Sequence, residues 1–210
     1  MVRNKDQDSS KYEQFRDVFR PGHADITFFK KYGIRDYRGG GRSSGRETAG
    51  RVAGGAIAKN ILSEKGVTFT AYSLEIAGIK AEKFDYNIIE DNIVRCPDAE
   101  AAGKMEQAIV DAKKEGDSVG GIVEMKICGL PSGLGDPVFS KLDAKLARAI
   151  CSLGAVKGIE LGDGFKAAKM KASEFNDQME NGEFLTNHAG GVLGGISTGQ
   201  DLIIRLAVKP

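Results

Sequence analysis

No stretch of about twenty apolar residues occurs in the sequence, which argues against a membrane-spanning helix. Charge of one sign is also lacking. The formal net charge is +1, so no broad basic surface for nucleic acid or anionic lipid is implied. Cysteine is scarce: Cys96, Cys128 and Cys151 are odd in number and widely spaced, with no C-x-x-C pair. That excludes a disulfide framework or a zinc site and leaves buried, reduced thiols of a cytoplasmic protein as the expectation. Met1 to Ser10 is polar and charged, without the apolar core of a secretory signal. The acids Asp136, Asp143, Asp163 and Asp177 are scattered, and no two are spaced for paired-carboxylate catalysis or a metal cage. Neither a Walker A loop nor a dinucleotide fingerprint stands in a strand-turn-helix context.

Glycine, in contrast, occurs 28 times and is clustered. Clustered glycine in an otherwise ordinary chain points to tight turns or close backbone approaches to a ligand. Residues 1–19 read as a polar, exposed lead-in, and Pro21-Gly22 as a turn followed by a short mixed apolar stretch, Ile26 to Tyr32. Ser44 and Glu47 have capping-box spacing. After them Ala49, Val52, Ala53, Ala56, Ile57 and Ile61 form one helical face, whose small residues suggest close packing on a sheet or helix. Val67 to Ile79 reads as a strand, and Pro97 or Asp98 to Lys114 as a helix with Ala101, Met105, Ala108, Ile109 and Ala112 inward. Val119 to Cys128 reads as a strand, Leu142 to Ser152 as a helix, and Val156 to Leu161 and Leu202 to Val208 as strands. Residues 173–187 read as a long loop. Mixed strands and helices without strict alternation make an α+β fold, and no boundary divides residues 1–210 into two domains.

The densest chemical signal is the loop from Lys30 to Arg46. It carries Lys30, Lys31, Arg35, Arg38, Arg42 and Arg46 against the single acid Asp36, with three consecutive glycines before a helix start. Arginine forks, free backbone N–H groups and a helix N-terminus together favour anions such as phosphate and carboxylate. The plainer alternative is a solvated basic loop. His23 lies close by in sequence and suits either a proton-handling role or a single structural hydrogen bond. His188, beside a second glycine-rich run, suits a loop-capping role at least as well as a ligand contact.

The order of several longer motifs goes further. Phe19-Arg20-Pro21-Gly22-His23-Ala24-Asp25, Lys31 to Ser44, Arg46-Glu47-Thr48-Ala49, Gly133 to Phe139, Ala155-Val156-Lys157-Gly158, Gly162-Asp163-Gly164-Phe165 and Asn187 to Ser197 together resemble the signature of the chorismate synthases. The resemblance implies a β-α-β sandwich, with helices packed between antiparallel sheets, and a homotetramer. It implies a lyase that converts 5-enolpyruvylshikimate 3-phosphate to chorismate by anti-1,4 elimination of phosphate over reduced FMN. The source of the electrons, an NADP-linked activity of the enzyme or an external reductase, stays open. By motif position, His23 resembles the histidine that favours the anionic reduced flavin, and Arg46 the arginine that reaches the substrate anion. Arg42, Ser43, Ser44, Gly154, Ala155, Gly194 and Lys209 resemble flavin-contacting positions, although Gly154 stands where many members carry asparagine. The Gly-Glu-Ser-His-Gly segment and the aspartate-bearing Arg-His-Asp-Pro segment of the family have no counterpart here, so the resemblance covers the central portion of a member and this chain alone is expected to be inactive. A reading from another class is a nucleic-acid-binding module using Arg38-Gly39-Gly40-Gly41-Arg42, opposed by the near-neutral charge and the capped helix that follows.

Overall fold

A computed structural model describes residues 8–39 and 45–210 of the chain. They gather into two compact units, residues 1–57 and 58–210, and each is described by itself.

The first unit opens with a 3-10 turn, Ser10–Phe15, in the segment expected to be a featureless lead-in. The stretch from Ile26 to Tyr32 is helical, not merely apolar: α1 spans Asp25–Tyr32. Its charge order suits the helix dipole, with Asp25 in the first turn and Lys30 and Lys31 in the last. Gly33 closes it at φ +74°, a left-handed cap that glycine adopts without strain. A 3-10 turn, Gly45–Glu47, leads into α2, Thr48–Ser63. The residue expected to cap α2, Ser44, lies outside the described residues. The expected close packing of the α2 face is not found among the described residues, because nothing covers it: Val52, Ile57 and Ile61 are 71%, 64% and 58% exposed.

In the second unit β1, Thr68–Ile76, turns at Ala77-Gly78 into β2, Ile79–Lys80. The single strand read from Val67 to Ile79 is therefore a hairpin, because both turn residues hold positive φ. Helix α3 spans Ala99–Lys114, β3 Gly121–Cys128, α4 Leu142–Cys151 and β4 Val156–Leu161. A single turn, α5 (Ala172–Phe175), and the short hairpin β5 (Met179–Glu180) with β6 (Glu183–Phe184) occupy the segment read as a loop. A second short hairpin, β7 (Val192–Leu193) with β8 (Ile196–Ser197), precedes β9, Leu202–Val208. Five strands form one antiparallel sheet in the order β2-β1-β3-β9-β4.

Register decides which residues share a face. Tyr72, Glu124, Arg205 and Glu160 stand opposite one another across β1, β3, β9 and β4. The other face carries Met125, Ile127, Leu202 and Ile204. There Ile127 and Leu202 pack with Leu142 and Leu146 of α4. Helix α3 packs with Tyr72, Leu74, Ala81 and Cys96 through Ala101, Ala102 and Met105, the last fully buried. Its expected inner stripe is fully buried only in this N-terminal half; Ala108 and Ala112 are half-buried, and Ile109, 39% exposed, lines an open cleft with Ile76 and Ile122. Of the three thiols expected to be buried, only Cys96 is; Cys151 is exposed at the end of α4.

Asp98 fixes the start of α3. Its carboxylate accepts the N–H groups of Glu100 and Ala101 at 3.0 and 3.2 Å, and those of Glu82 and Lys83 at 3.0 Å each. The bonds from Glu82 and Lys83, then Ala101, hold its pKa down at about 2 against an ordinary 3.8. A depressed folded-state pKa contributes stability that is complete above about pH 4 and is lost as the pH falls towards about 2. Asp98→Asn is therefore expected to lower the melting midpoint by about 5 °C at pH 7. The gap to wild type should narrow as thermal melts are repeated between pH 4 and pH 2; a gap independent of pH would show that the charge is irrelevant.

Candidate functional site

The first unit is built around one buried carboxylate. The turn at Pro21-Gly22, with Gly22 at φ +68°, folds the chain back so that Arg20, His23 and Asp25 converge. The Asp25 side chain is only 2% exposed. Arg20 grips it with a two-pronged fork, Nε to Oδ2 at 2.8 Å and Nη2 to Oδ1 at 2.9 Å, and the Arg20 backbone N–H adds a bond of 3.2 Å. His23 Nδ1 lies 2.9 Å from Oδ1. Arg35 approaches from the segment after α1, with Nη1 3.5 Å from Oδ2. The Arg20 guanidinium holds the Asp25 carboxyl far below the usual carboxylate range, burial notwithstanding, and Asp25 in turn raises Arg20. Two charges taken out of water need such paired geometry to be tolerated.

Aromatic and backbone groups complete the setting. The Arg20 guanidinium lies over the rings of Tyr12 and Phe15, at 5.6 and 5.9 Å from their centres, and Arg35 over Phe19 at 5.1 Å. Arg35 Nη2 donates to the carbonyls of Phe15, Arg16 and Val18. The segment read as an exposed lead-in thus supplies the wall of the cluster.

Of the residues singled out from sequence, His23 sits in this cluster, 28% exposed at its side chain. Arg46 lies in the exposed turn Gly45–Glu47. Arg42, Ser43 and Ser44 lie outside the described residues. Arg38 is held by its neighbour Asp36 at 2.9 Å.

In the second unit, β4–β9 pairing brings three candidates together. Gly154 and Ala155 form the turn between α4 and β4, with Ala155 at φ +68°. The Ala155 carbonyl accepts the Lys209 N–H at 2.9 Å. Gly194, at φ +60°, lies in the β7–β8 turn, whose Gly195 carbonyl accepts the Leu142 N–H at 2.8 Å. Gly194 is therefore at the start of α4 and the Gly154 group just beyond its end, separated by the rise of ten residues, about 15 Å. No described side chain blocks Gly154 or Gly194: a Cβ added at either meets no atom within 4 Å.

His188 is tied down as a structural residue. Its Nδ1 lies 2.6 Å from Asp163 Oδ2, its N–H donates to Asp177 Oδ1 at 2.7 Å, and its carbonyl accepts the Asp163 N–H at 2.7 Å. Asp163 and Asp177, read from sequence as unrelated acids, meet here. Among the described residues no group of three or more His, Cys, Asp or Glu side chains could hold a metal ion. Nor is any helix among them long and apolar enough to cross a membrane. Asp25 and Arg20 went unassigned in the sequence. The signal available was the acid two residues after His23, at a helix start.

Comparison with known proteins gives one consistent result. The sequence profile of the family described as chorismate synthase matches residues 1–210. A chorismate synthase of Desulfatibacillum aliphaticivorans is 52% identical over 210 residues, covering 100% of this chain and 59% of the relative. One of Methanosarcina acetivorans is 54% identical over 218 residues, covering 100% of this chain and 60% of the relative. A crystal structure of a chorismate synthase superposes with a TM-score of 0.82 at 32% identity, over 89% of this chain and 62% of that one. The chain thus spans about three fifths of the length of the relatives it matches, and the α+β architecture of helices and antiparallel sheets agrees with that fold.

Proposed function

The chain belongs to the chorismate synthase family of lyases, which serves aromatic amino acid biosynthesis, and on that premise we propose that the polypeptide carrying these residues converts 5-enolpyruvylshikimate 3-phosphate to chorismate by anti-1,4 elimination of phosphate. The observation that carries this reading is the family match over all 210 residues. The cofactor proposed is reduced FMN, which when bound supplies electron density as the phosphate leaves and accepts the ring proton.

The residues present suit such a group. Within the Lys30–Arg46 segment Arg35 is committed to Asp25 and to backbone carbonyls and Arg38 to Asp36, so Lys30, Lys31, Arg42 and Arg46 are the cations proposed to meet ligands that carry phosphate and carboxylate. Arg46 is proposed to reach the substrate anion. Arg42, Ser43 and Ser44, with Gly154, Ala155, Gly194 and Lys209, are proposed to contact the flavin; no described atom lies within 4 Å of a Cβ built on Gly154 or Gly194, so a ligand can approach the backbone at either turn. His23 is proposed to favour the anionic reduced flavin by holding a proton beside it. Fixed cations and N–H donors of this kind stabilise charge developing on a departing phosphate without reorganising. Residues 1–210 are read as one functional domain of a cytoplasmic homotetramer. By themselves they are proposed to be inactive, because the family's proton-donating histidine segment and its aspartate segment have no counterpart among them. The nucleic-acid reading gains no observation beyond the Arg-Gly run itself.

The reading is tested by grafting. Residues 1–210 replace the matching segment of the Desulfatibacillum aliphaticivorans relative, and phosphate release from 5-enolpyruvylshikimate 3-phosphate is followed with reduced FMN. Turnover within about tenfold of the parent is expected, since only interactions felt in the transition state change the rate. A folded graft that releases no phosphate would refute the assignment.

A further inference from the structure

We propose that Asp25 is a positioning residue for His23: it fixes the ring proton on Nδ1 and so makes Nε2 the atom that presents or withholds a proton. The proposal rests on the reading of His23 given above and extends it to a residue that touches neither substrate nor cofactor.

His23 Nδ1 has two close neighbours, Asp25 Oδ1 at 2.9 Å and Arg20 Nη2 at 3.1 Å. Arginine only donates and an ionised carboxylate only accepts, so Nδ1 cannot satisfy both. Were Nδ1 bare, its lone pair would face an anionic oxygen with no hydrogen between them. Arg20 keeps that oxygen ionised and donates one Nη2–H to it at 2.9 Å; the second Nη2–H could meet a bare Nδ1 at 3.1 Å, but a ring N–H on an anionic oxygen makes the shorter bond and removes the lone-pair repulsion. The arrangement without that repulsion places the proton on Nδ1, directed at Oδ1. A histidine with one nitrogen so engaged has its other nitrogen assigned by default.

Nε2 is the atom left over, and among the described residues none bonds to it. In the neutral ring it carries the free lone pair, and in the cationic ring it carries the second proton. Every proton His23 exchanges therefore passes through Nε2. The charged groups facing the pair are Arg20 from the preceding turn and Arg35 from beyond α1, with Arg35 Nη1 3.5 Å from Oδ2. That Nη1 is buried with no hydrogen-bond acceptor of its own. Its charge adds to the field that keeps Asp25 ionised.

The test reads the ring directly. Nitrogen-15 NMR of the labelled 210-residue chain, at a pH where the ring is neutral, distinguishes the two tautomers; with only two histidines present, His23→Gln assigns the signals. The expected result is an Nδ1–H ring with a strongly hydrogen-bonded proton. In Asp25→Asn, which replaces a charged acceptor with a neutral one, the tautomer ratio should move towards Nε2–H by about tenfold. An Nε2–H ring in the wild type overturns the proposal, as does an unchanged ratio in a folded Asp25→Asn chain. If that variant does not fold, the wild-type spectrum decides alone. In the graft, Asp25→Asn should lower kcat at least about tenfold with little change in KM for the phosphate ester. An Nδ1–H ring combined with full turnover by a His23→Ala graft would leave the positioning intact and remove His23 from the reaction.

Discussion

Replacing Glu124 by leucine is expected to destabilise the chain by about 2–3 kcal/mol, the range for breaking a buried ion pair reduced for partial solvent access. Glu124 stands at the centre of the sheet. Its Oε2 accepts Arg205 Nε at 2.5 Å and its Oε1 accepts the Tyr72 hydroxyl. The side chains of Glu124 and Arg205 are 12% and 28% exposed. Arg205 Nη1 continues to the Gly162 carbonyl at 2.6 Å, so the network ties β1, β3 and β9 to the turn after β4. Burial, then Glu124, pushes the Tyr72 phenol well above its ordinary range, so it stays a donor at every working pH. Leucine in place of Glu124 would strand both a guanidinium and a hydroxyl, and the thermal midpoint should fall by roughly 5–10 °C. Adding Arg205→Met removes the stranded charge and should recover most of the loss, because an apolar replacement of both partners is often neutral. A double variant as unstable as the sum of the two single ones would show that the residues act independently.

His23→Ala in the graft is expected to lower turnover by about a hundredfold, the lower range of what a positioned proton-handling group contributes. The loss should fall on kcat, since the ring is proposed to act on the flavin side and not on the substrate anion. The fold should persist. Asp25 keeps its bidentate Arg20 and the nearby Arg35 when the imidazole is gone, so the carboxylate is not stranded. Steady-state kinetics with circular dichroism of the same preparation separates the two effects. Unchanged turnover at neutral pH would remove His23 from the mechanism.

How much of this was legible in the sequence depended on whether the signal was local. Helix α3, read as starting at Pro97 or Asp98, could be placed to within two residues because Asp98 is its cap, and β4 and β9 because short runs rich in Val, Ile and Leu sit between turn residues. Helix α1 was missed because Ile26, Thr27, Phe28 and Phe29 are β-branched or aromatic and weigh against a helix on propensity. Its charge order and the cap at Gly33 carried the contrary signal. The β5–β6 hairpin turns on Asn181-Gly182, both at positive φ, a strong hairpin signal hidden by strands of only two residues. The α2 face had clear helical periodicity, yet periodicity names a face without saying what covers it.

The site divides in the same way. The motifs around His23 and the Arg42-Ser43-Ser44 segment were readable as motifs. The Asp25 cluster was not, because it needs Arg35, ten residues away, to return to the carboxylate after α1 has been completed. Likewise Glu124 and Arg205 are 81 residues apart and meet only through the β3–β9 register. Arg205, the single charge in the apolar run of β9, was the hint available.

Whether these residues close around a flavin is decided most directly by titrating FMN into the graft, reduced and oxidised, in the presence of 5-enolpyruvylshikimate 3-phosphate. Saturable binding is predicted, tighter for the reduced form and weakened by Arg42→Ala. A graft with native circular dichroism whose affinity for FMN is absent, or indifferent to loss of that arginine, would contradict the account.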